Sequence, residues 1–467
     1  MYKHGVYGDR VASNIKISKS LGTIPMYFGT APVFRKNKTN VNKAVLVSSL
    51  EEAINLFGYS EKDDFEKYTL AGCIYAHFSN KIKPIGPIIL VNVLSTKTKT
   101  STTSKTVNLI NGIGYIEDDL ELSTITIATM TIDTDYTAEY ENNKVKLTVT
   151  KANAGNSVDV TYKQIDPEIT DTEIVTGLNT VDTVYQELNV VPNILVVPGF
   201  NTSQVESALL NKSNLIDGNM EGIVVLDIES KTSDTIDKAI QLKKTSNFVS
   251  NKEKLCWPRF KVGDKVIYAS IVYAVTMQIT DTLNEGVPYE SPSNKEIDIT
   301  GMIVGADSTL KSIKFNRTEA NRLNEKGIST ALFSGGKWVV WGPHMANYEY
   351  GVTNKPDEIF DSTIRTNIYL NNDFAIRNVD IVDKPLSRND IDSILNTEQA
   401  RLNSLVADGK LLYAKIDFLP TQNPDSDIMT GDFVFNSSVT NTPPAKSLTN
   451  KVQYVSDGLS KLTGGNE

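Results

Sequence analysis

Residues 87–94 read PIILVNVL, a run in which Asn92 is the one polar residue among apolar side chains. A strand without polar alternation is buried on both faces, which is typical of a sheet flanked by helices. Outward from this run, similar strands are predicted in IPMYFGTAP (24–32), NILVVPGF (193–200), GIVVLDIES (222–230) and GGKWVVWGP (335–343). Amphipathic stretches such as SSLEEAINLFG (48–58) lie between them. The pattern predicts an α/β core.

This core pattern is interrupted by a stretch of different composition. Residues 96–188 are rich in Thr, Asp and Asn, and their β-branched runs, such as STITIATMTI (123–132), are separated by turn residues. Such runs predict a small antiparallel β domain inserted into the core. We therefore expect a discontinuous α/β core made of residues 21–95 and 189–345.

The chain after residue 345 has an α+β pattern. Helices are predicted over 357–370 and 387–407, and strands are predicted in LLYAKIDF (411–418) and DFVFNSSV (432–439). Residues 346–441 are therefore predicted to form a C-terminal α+β domain. The predicted fold class is α/β and α+β, multidomain.

Both ends of the chain are predicted to be extended arm strands, over residues 1–20 and 442–467. The second arm follows Pro443-Pro444, which cannot continue a strand ladder. A lone strand leaves its backbone groups unpaired, so we expect each arm to join the open sheet edge of a neighbouring copy. Folding back onto the same molecule, or disorder of the ends, stays open as the alternative.

Composition narrows the classes of partner. The 467 residues carry a formal net charge of -9 and 40% hydrophobic residues, and the sequence pI is about 5.2. An acidic chain argues against duplex nucleic acid and against a basic membrane-surface role. No apolar leader follows Met1, so we expect the protein to be made and kept in a cytoplasm unless something releases it. Cys73 and Cys256 lie in apolar contexts and are predicted to be buried free thiols.

Motifs for catalysis are incomplete. The three histidines lack metal-ligand spacing, and Gly327-Ile328-Ser329-Thr330-Ala331 lacks the second glycine of a nucleophile elbow. Gly335-Gly336-Lys337-Trp338 lacks both the frame of a phosphate loop and its Ser or Thr. We therefore expect a structural protein with no catalytic site, no metal and no cofactor.

The segment PYESPSNKEI (288–297) resembles a loop of the contractile tail sheath proteins found in myovirus tails and R-type bacteriocins. Tyr289, Ser291, Pro292 and Asn294 match the loop pattern, although tryptophan is common at the position of Tyr289. The strands NILVVPGF and GIVVLDIES, and the later GKWVVWGP (336–343), are similar to core strands of that family. The insert resembles the family's variable outward-facing module in architecture alone.

The resemblance implies a structural subunit that polymerises, as hexameric rings or a six-start helix, around an inner tube. Contraction of the sheath would drive the tube through a bacterial envelope. The implied partners are further copies of the chain, the tail tube protein, and baseplate and tail terminator proteins, with no nucleic acid and no membrane. The implied location is the bacterial cytoplasm during assembly, followed by release in a phage virion or a phage tail-like particle.

Residue roles also follow from the resemblance. Residues that would plug into neighbouring copies are Val11, Ile15 and Ile17 in the first arm and Leu448, Val452 and Tyr454 in the second. Residues of the receiving strand would be Phe433, Phe435 and Val439. The helix over 387–407 and carboxylates of residues 346–441 would face the tube.

Two alternatives are retained. A non-contractile structural lattice or tube protein is the first, although a tube subunit is usually much smaller than 467 residues. A hydrolase with a β-sandwich accessory domain is the second, and it would need a nucleophile, a base and an oxyanion site.

Overall fold

The computed structural model describes residues 22–36, 40–95, 100–353 and 355–463, so Val11, Ile15 and Ile17 lie outside the described residues. The strands of the described residues are, in chain order, β1 (Pro25–Gly29), β2 (Ala44–Val47), β3 (Ile88–Asn92), β4 (Thr100–Asn108), β5 (Ile113–Ile116), β6 (Thr126–Ile127), β7 (Tyr136–Glu141), β8 (Lys144–Val149), β9 (Ser157–Ile165), β10 (Ile194–Val196), β11 (Ile223–Asp227), β12 (Glu253–Cys256), β13 (Arg259–Val262), β14 (Lys265–Ile267), β15 (Gly301–Val304), β16 (Lys311–Ile313), β17 (Ile328–Ser334), β18 (Lys337–Trp341), β19 (Leu411–Asp417) and β20 (Asn436–Asn441). Their α-helices are α1 (Leu50–Phe57), α2 (Thr69–Ile74), α3 (Asp171–Leu178), α4 (Val184–Leu188), α5 (Ser203–Asn214), α6 (Ile236–Thr245), α7 (Ala269–Leu283), α8 (Arg317–Asn324), α9 (Asp361–Asn378), α10 (Arg388–Ala407) and α11 (Asp425–Thr430).

Among the described residues, an eight-stranded sheet has the order β18-β17-β12-β11-β10-β1-β3-β2. Its inner pairs are parallel, and the edge strands β2 and β18 run antiparallel to their neighbours. Along β1, Met26 and Phe28 pack into the apolar cluster on one face, and Tyr27 packs into the cluster on the other. Helices cover both faces, which explains the unbroken apolar runs and confirms the predicted α/β core.

The β-rich insert folds around its own core. Strands β4 to β9 form two three-stranded antiparallel sheets, β4-β9-β6 and β5-β8-β7, which bury side chains such as Val145, Leu147 and Tyr162 between them. The last of these strands ends at Ile165, earlier than the predicted boundary at 188. Residues 171–188 instead form α3 and α4, whose apolar side chains join the core cluster of the large sheet. Their Thr- and Asp-rich composition resembled the insert, but their apolar stripe belongs to the core.

A buried ionic contact attaches the insert to the α/β core. Asp119 of the insert accepts hydrogen bonds from Arg35 (Nη2, 3.0 Å), Lys67 (Nζ, 2.8 Å) and the Tyr68 hydroxyl (2.7 Å). Burial acts to raise the pKa of Asp119, but the charges of Arg35 and Lys67 outweigh it and hold that pKa below its ordinary value. Asp119 is therefore charged at neutral pH, and the insert is docked firmly on the core.

The C-terminal domain is joined to the core through α9. Lys254 of β12 and Asp361, the first residue of α9, form a fully buried ion pair of 2.8 Å, and the same ammonium donates to the carbonyls of Gly342 and His344. Four residues further along α9, Arg365 pairs with the buried Asp281 of α7. These contacts make α9 part of the body formed by the large sheet.

Several predicted elements differ from the structure in length or are new. The helix predicted over 387–407 is α10, whereas the helix predicted over 357–370 begins later and runs to Asn378. The antiparallel sheet β14-β13-β15-β16 was not predicted. Cys73 and Cys256 are buried free thiols, as predicted. None of the described helices is both long and apolar enough to cross a membrane.

The Lys254–Asp361 pair leads to a stability prediction. Asp361→Ala leaves the Lys254 ammonium buried without a counter-charge, so we expect the free energy of unfolding to fall by about 3–5 kcal/mol. A urea titration followed by circular dichroism would measure the change. Asp357→Ala, at an exposed position four residues earlier, is the matched control and should behave like the unmodified protein. Equal midpoints for the two variants would contradict this account of the junction.

A second buried carboxyl group has no compensating partner. Glu253 of β12 is 0% exposed, and neither carboxyl oxygen accepts a hydrogen bond from the described residues. Burial raises the pKa of Glu253 to about 8; the Glu206 carboxylate adds to this rise and Lys243 opposes it. The group is therefore protonated in the folded protein at neutral pH.

This protonation makes folding depend on pH. Between the ordinary pKa of about 4.5 and the folded value of about 8, the folded protein holds one more proton than the unfolded chain. Stability from this group is complete below the lower value and is lost as the pH rises through the upper one, by about 1.4 kcal/mol per pH unit. We expect Glu253→Gln to remove this slope in urea midpoints measured from pH 5 to 9. The exposed Glu168→Gln should keep it; an unchanged slope in Glu253→Gln would show that the carboxyl group is not protonated.

Candidate inter-subunit surface

The C-terminal domain contains a sheet of two strands. β19 and β20 pair antiparallel, with Ala414 opposite Val439 and Ile416 opposite Ser437. One face packs against α10 through Leu402 and Leu405, which share a cluster with the inward-facing residues of β19. Within the described chain each strand has one edge without a partner. An isolated pair of strands is marginally stable, and open edges accept further strands.

The predicted receiving residues divide between this sheet and the loop before it. Val439 lies in β20 and packs in the cluster beneath α10. Phe433 and Phe435 precede β20, so the strand predicted over 432–439 starts later than expected. The reason is Asn423, whose side-chain amide binds both the N–H and the carbonyl of Val434 and takes the place of a strand partner there.

Phe435 is half-buried and packs against the apolar cluster of the domain, and Phe433 is half-buried and contacts Phe418. The Phe435 ring lies 5.5 Å from Phe418 and 5.8 Å from Phe374, and the Phe433 ring lies 6.4 Å from Phe418. The two phenylalanine rings pack beside the two-stranded sheet. The prediction that Phe433 and Phe435 lie in the receiving strand is therefore wrong, because both precede β20 and pack beside it.

The C-terminal arm has no strand partner within the described chain. Residues 442–455 contain no strand or helix, and a short 3-10 helix, Asp457–Thr463, follows them. The three residues predicted to enter a neighbour are almost entirely exposed: Leu448 by 90%, Val452 by 89% and Tyr454 by 82%. These three apolar side chains are therefore left almost unpacked within the described chain.

Both arms start close to α9. At the end of β20, the Asn441 amide donates to Asn367 Oδ1 at 3.1 Å. At the start of the described chain, the Thr23 hydroxyl donates at 2.5 Å to Asp281, the carboxylate that pairs with Arg365. Asn367 and Arg365 lie on the same turn of α9, so the attachment points of both arms are fixed to one rigid helix.

The loop with the family-like pattern connects the core with the C-terminal domain. The Asn294 N–H donates to the carbonyl of Val340 in β18 at 2.7 Å, and Asn294 adopts a left-handed backbone, with φ of 65°. Ser291 and Pro292 are buried, and Tyr289 packs against the apolar cluster of the C-terminal domain. The loop is therefore fixed to the core by a backbone hydrogen bond and contacts the C-terminal domain through the Tyr289 side chain.

A cleft of about 680 Å³ lies between this loop and the first residues of the C-terminal arm. His344 on its floor stacks on Tyr348 at 3.5 Å, and its Nδ1 lies 2.9 Å from the carbonyl oxygen of Ile359. Burial lowers the pKa of His344 to about 4, so the imidazole is neutral. Among the described residues, no group of His, Cys, Asp and Glu side chains has a geometry that could hold a metal ion.

Sequence reasoning missed the buried ion pairs that fix the arm attachments. Asp281 follows the mainly apolar run at 266–280, which is a weak signal, whereas Lys254 and Arg365 stand in polar sequence. A charged residue in an apolar run indicates a buried partner, but the sequence does not identify which one.

Comparisons with known proteins agree with this geometry. The family described as "Phage tail sheath protein central domain" matches residues 168–343. The tail sheath protein of Burkholderia phage BcepMu is 25% identical over 356 residues, covering 71% of this chain and 72% of that protein. The major tail sheath protein of Serratia phage KSP20 is 22% identical over 372 residues, covering 78% and 83%.

Solved structures show the same fold over nearly the whole chain. The PVC sheath complex of an extracellular contractile injection system, in its contracted state, matches with a TM-score of 0.59 at 14% identity, covering 98% of this chain and 99% of that one. A chain of the six-fold symmetrised baseplate of the anti-feeding prophage matches with a TM-score of 0.59 at 14% identity, covering 97% and 99%. The match from residue 168 also agrees with the placement of α3 in the core. Residues 168–343 therefore match the tail sheath central-domain family, and the chain as a whole is similar to tail sheath proteins in sequence and in fold.

Proposed function

We propose that the chain polymerises by exchange of its terminal arms into a sheath around an inner tube, and that contraction of this sheath drives the tube through a bacterial envelope. One observation carries the proposal: the same chain presents a two-stranded sheet with open edges and an apolar arm without a partner in the described chain. A strand added in trans would satisfy the backbone groups of both.

The arm has the length and chemistry for this exchange. Twenty extended residues span about 65 Å, far enough to reach an adjacent subunit. Burying an exposed Leu, Val or Tyr contributes about 1.5–3 kcal/mol per side chain before ordering costs. Many copies of such a contact stabilise a lattice, although each one alone is weak.

The rigidity of the subunit body favours contraction by rearrangement of whole subunits. Buried ion pairs fix α9 to the large sheet, so a subunit can rotate as one unit while the arms keep neighbours linked. The energy would be stored in a metastable extended lattice and released as new contacts form. Hexameric rings or a six-start helix are the proposed arrangement, supported by the six-fold symmetry of the matched baseplate assembly.

Carboxylates of the C-terminal domain are proposed to face the tube. On α10 the buried Glu398 pairs inward with Arg377 of α9. Asp425, Asp427 and Asp432, in and beside α11, are exposed and form no ion pair with the described residues. We propose that these carboxylates meet a basic tube surface. Exposed pairs contribute about 0–1 kcal/mol each, which suits a contact that must slide.

The roles of the insert and of the other partners follow from the same proposal of a sheath subunit. The insert of β4 to β9 would face outward, and baseplate and tail terminator proteins would bind the ends of the sheath. Assembly would take place in the bacterial cytoplasm, with release as a phage virion or a phage tail-like particle. Neighbouring capsid genes would indicate a virus, and their absence a bacteriocin.

The arm residues provide the test. We expect the triple variant Leu448→Ser, Val452→Ser, Tyr454→Ser to remain folded, because all three side chains are exposed, but to form no cylinders. Negative-stain microscopy of purified protein measures assembly, and circular dichroism measures folding. The unmodified chain should give long hollow cylinders.

The matched control changes the alternate positions of the same arm, Thr449, Lys451 and Gln453, to Ala. In an extended strand these side chains point away from the apolar face, so cylinders should persist. Normal cylinders from the triple serine variant would refute arm exchange at these residues.

A further inference from the structure

The first residues of the C-terminal arm cross an open space. Pro444 to Leu448 form one side of the cleft of about 680 Å³ described above. The Lys446 N–H donates to the Pro444 carbonyl at 2.9 Å, which bends the chain sharply at Ala445. Because the segment has open space beneath it, only its two end attachments hold it in place. Its local stability therefore depends on those attachments.

The inner attachment is part of the β-sheet. Asn441 pairs with Leu411 at the end of β20, and the Thr442 hydroxyl donates to the Gly409 carbonyl at 2.8 Å. Pro443 and Pro444 follow directly, and their rings restrict φ, so the chain leaves the sheet in a fixed direction. This end of the crossing is firmly held.

The outer attachment is a single side chain. Lys446 Nζ lies 3.5 Å from the Tyr348 hydroxyl, 5.8 Å from the centroid of the Tyr348 ring and 5.9 Å from that of Tyr350. Its ammonium forms no ion pair with any carboxylate among the described residues. The attraction therefore comes from a long hydrogen bond that the ammonium donates to the Tyr348 hydroxyl and from the two rings, and such contacts are weak at an exposed site.

One of the two rings is fixed in advance. Tyr348 is buried and stacks on His344 with an angle of 7° between the rings, and His344 stacks on Phe360 from its other side. Tyr350 is exposed and closes over the lysine from solvent. The two tyrosines form a binding site for one cation, with the buried Tyr348 on one side and the exposed Tyr350 on the other.

We propose that Lys446 is a releasable fastening, which holds the C-terminal arm on its own subunit until the arm is exchanged. The inference rests on the proposed function, because it gives the arm a position before exchange. Once Lys446 leaves the tyrosines, the residues beyond it swing about Pro443-Pro444 over the cleft. Exposed residues such as Leu448 and Tyr454 then become free to search for a neighbouring sheet edge.

The position of the arm can be measured in the unassembled subunit. Spin labels at Thr449→Cys on the arm and Thr318→Cys on α8 report the distance between arm and body by double electron–electron resonance. The native Cys73 and Cys256 are buried and should stay unlabelled. We expect one dominant distance in the otherwise unmodified chain.

Removal of the charge should release the arm. In Lys446→Gln we expect the population outside the dominant distance to rise about two- to five-fold, the range for loss of an exposed cation–ring contact. Lys446→Arg, which keeps the cation over the rings, should restore the dominant distance. Lys451→Gln removes an exposed lysine with no ring contact among the described residues and should leave the distribution unchanged.

The possible results distinguish a failure of the Lys446 contact from a failure of arm exchange. A Lys446→Gln distribution identical to that of Lys451→Gln would overturn the fastening, even if arm exchange is correct. A released arm in Lys446→Gln would support the fastening even if the triple serine variant still formed cylinders. Failure of Lys446→Arg to restore the dominant distance would also count against a cation–ring contact.

Discussion

Backbone hydrogen bonding in the C-terminal sheet is the constraint on which this molecule depends. Two strands cannot satisfy their outer edges, and the arm that follows them carries unpaired N–H and carbonyl groups of its own. Within one subunit α10 covers a face of the sheet but not its edges. In the proposed assembly, chain from another molecule completes the sheet. The open edges of the sheet and the arm without a strand partner in the described chain are the observations that support this proposal.

The rest of the subunit is built to be rigid where the sheet is incomplete. Lys254 and Asp361 are both fully buried, and breaking such a pair is far more costly than replacing it. The pair between Asp281 and Arg365 also orients Thr23, where the N-terminal arm joins the described body. In the proposed assembly, a fixed attachment point at the end of β20 would make exchange of the C-terminal arm geometrically reproducible.

The sequence predicted those features that depend on local patterns. Unbroken apolar runs identified the large sheet, and the apolar stripe of 387–407 identified α10 almost residue for residue. Features that depend on residues far apart in the sequence were either not predicted or predicted at the wrong position. Asn423 ends the strand at Val434 through its side chain, and no local pattern shows this. The helices α3 and α4 share the composition of the insert, but they pack on the core. The role of the arm residues depends on a second molecule, so the fold of one chain does not determine it.

The large sheet is filled with side chains at the edge where sheets of this type commonly bind ligands. Its parallel strands reverse direction of progression between β1 and β10, a point where sheets of this type commonly bind a ligand at the carboxyl ends of the strands. Here that edge is filled. The Tyr268 ring lies so close to Gly199 that a Cβ there would come within 2.5 Å of it, and the Asp227 carboxylate at the end of β11 is occupied by the N–H and hydroxyl of Ser270. Side chains fill this crevice, and their packing stabilises the fold. The same α/β architecture is thus a packed block at this edge, which agrees with the proposal that association uses the unpaired strands.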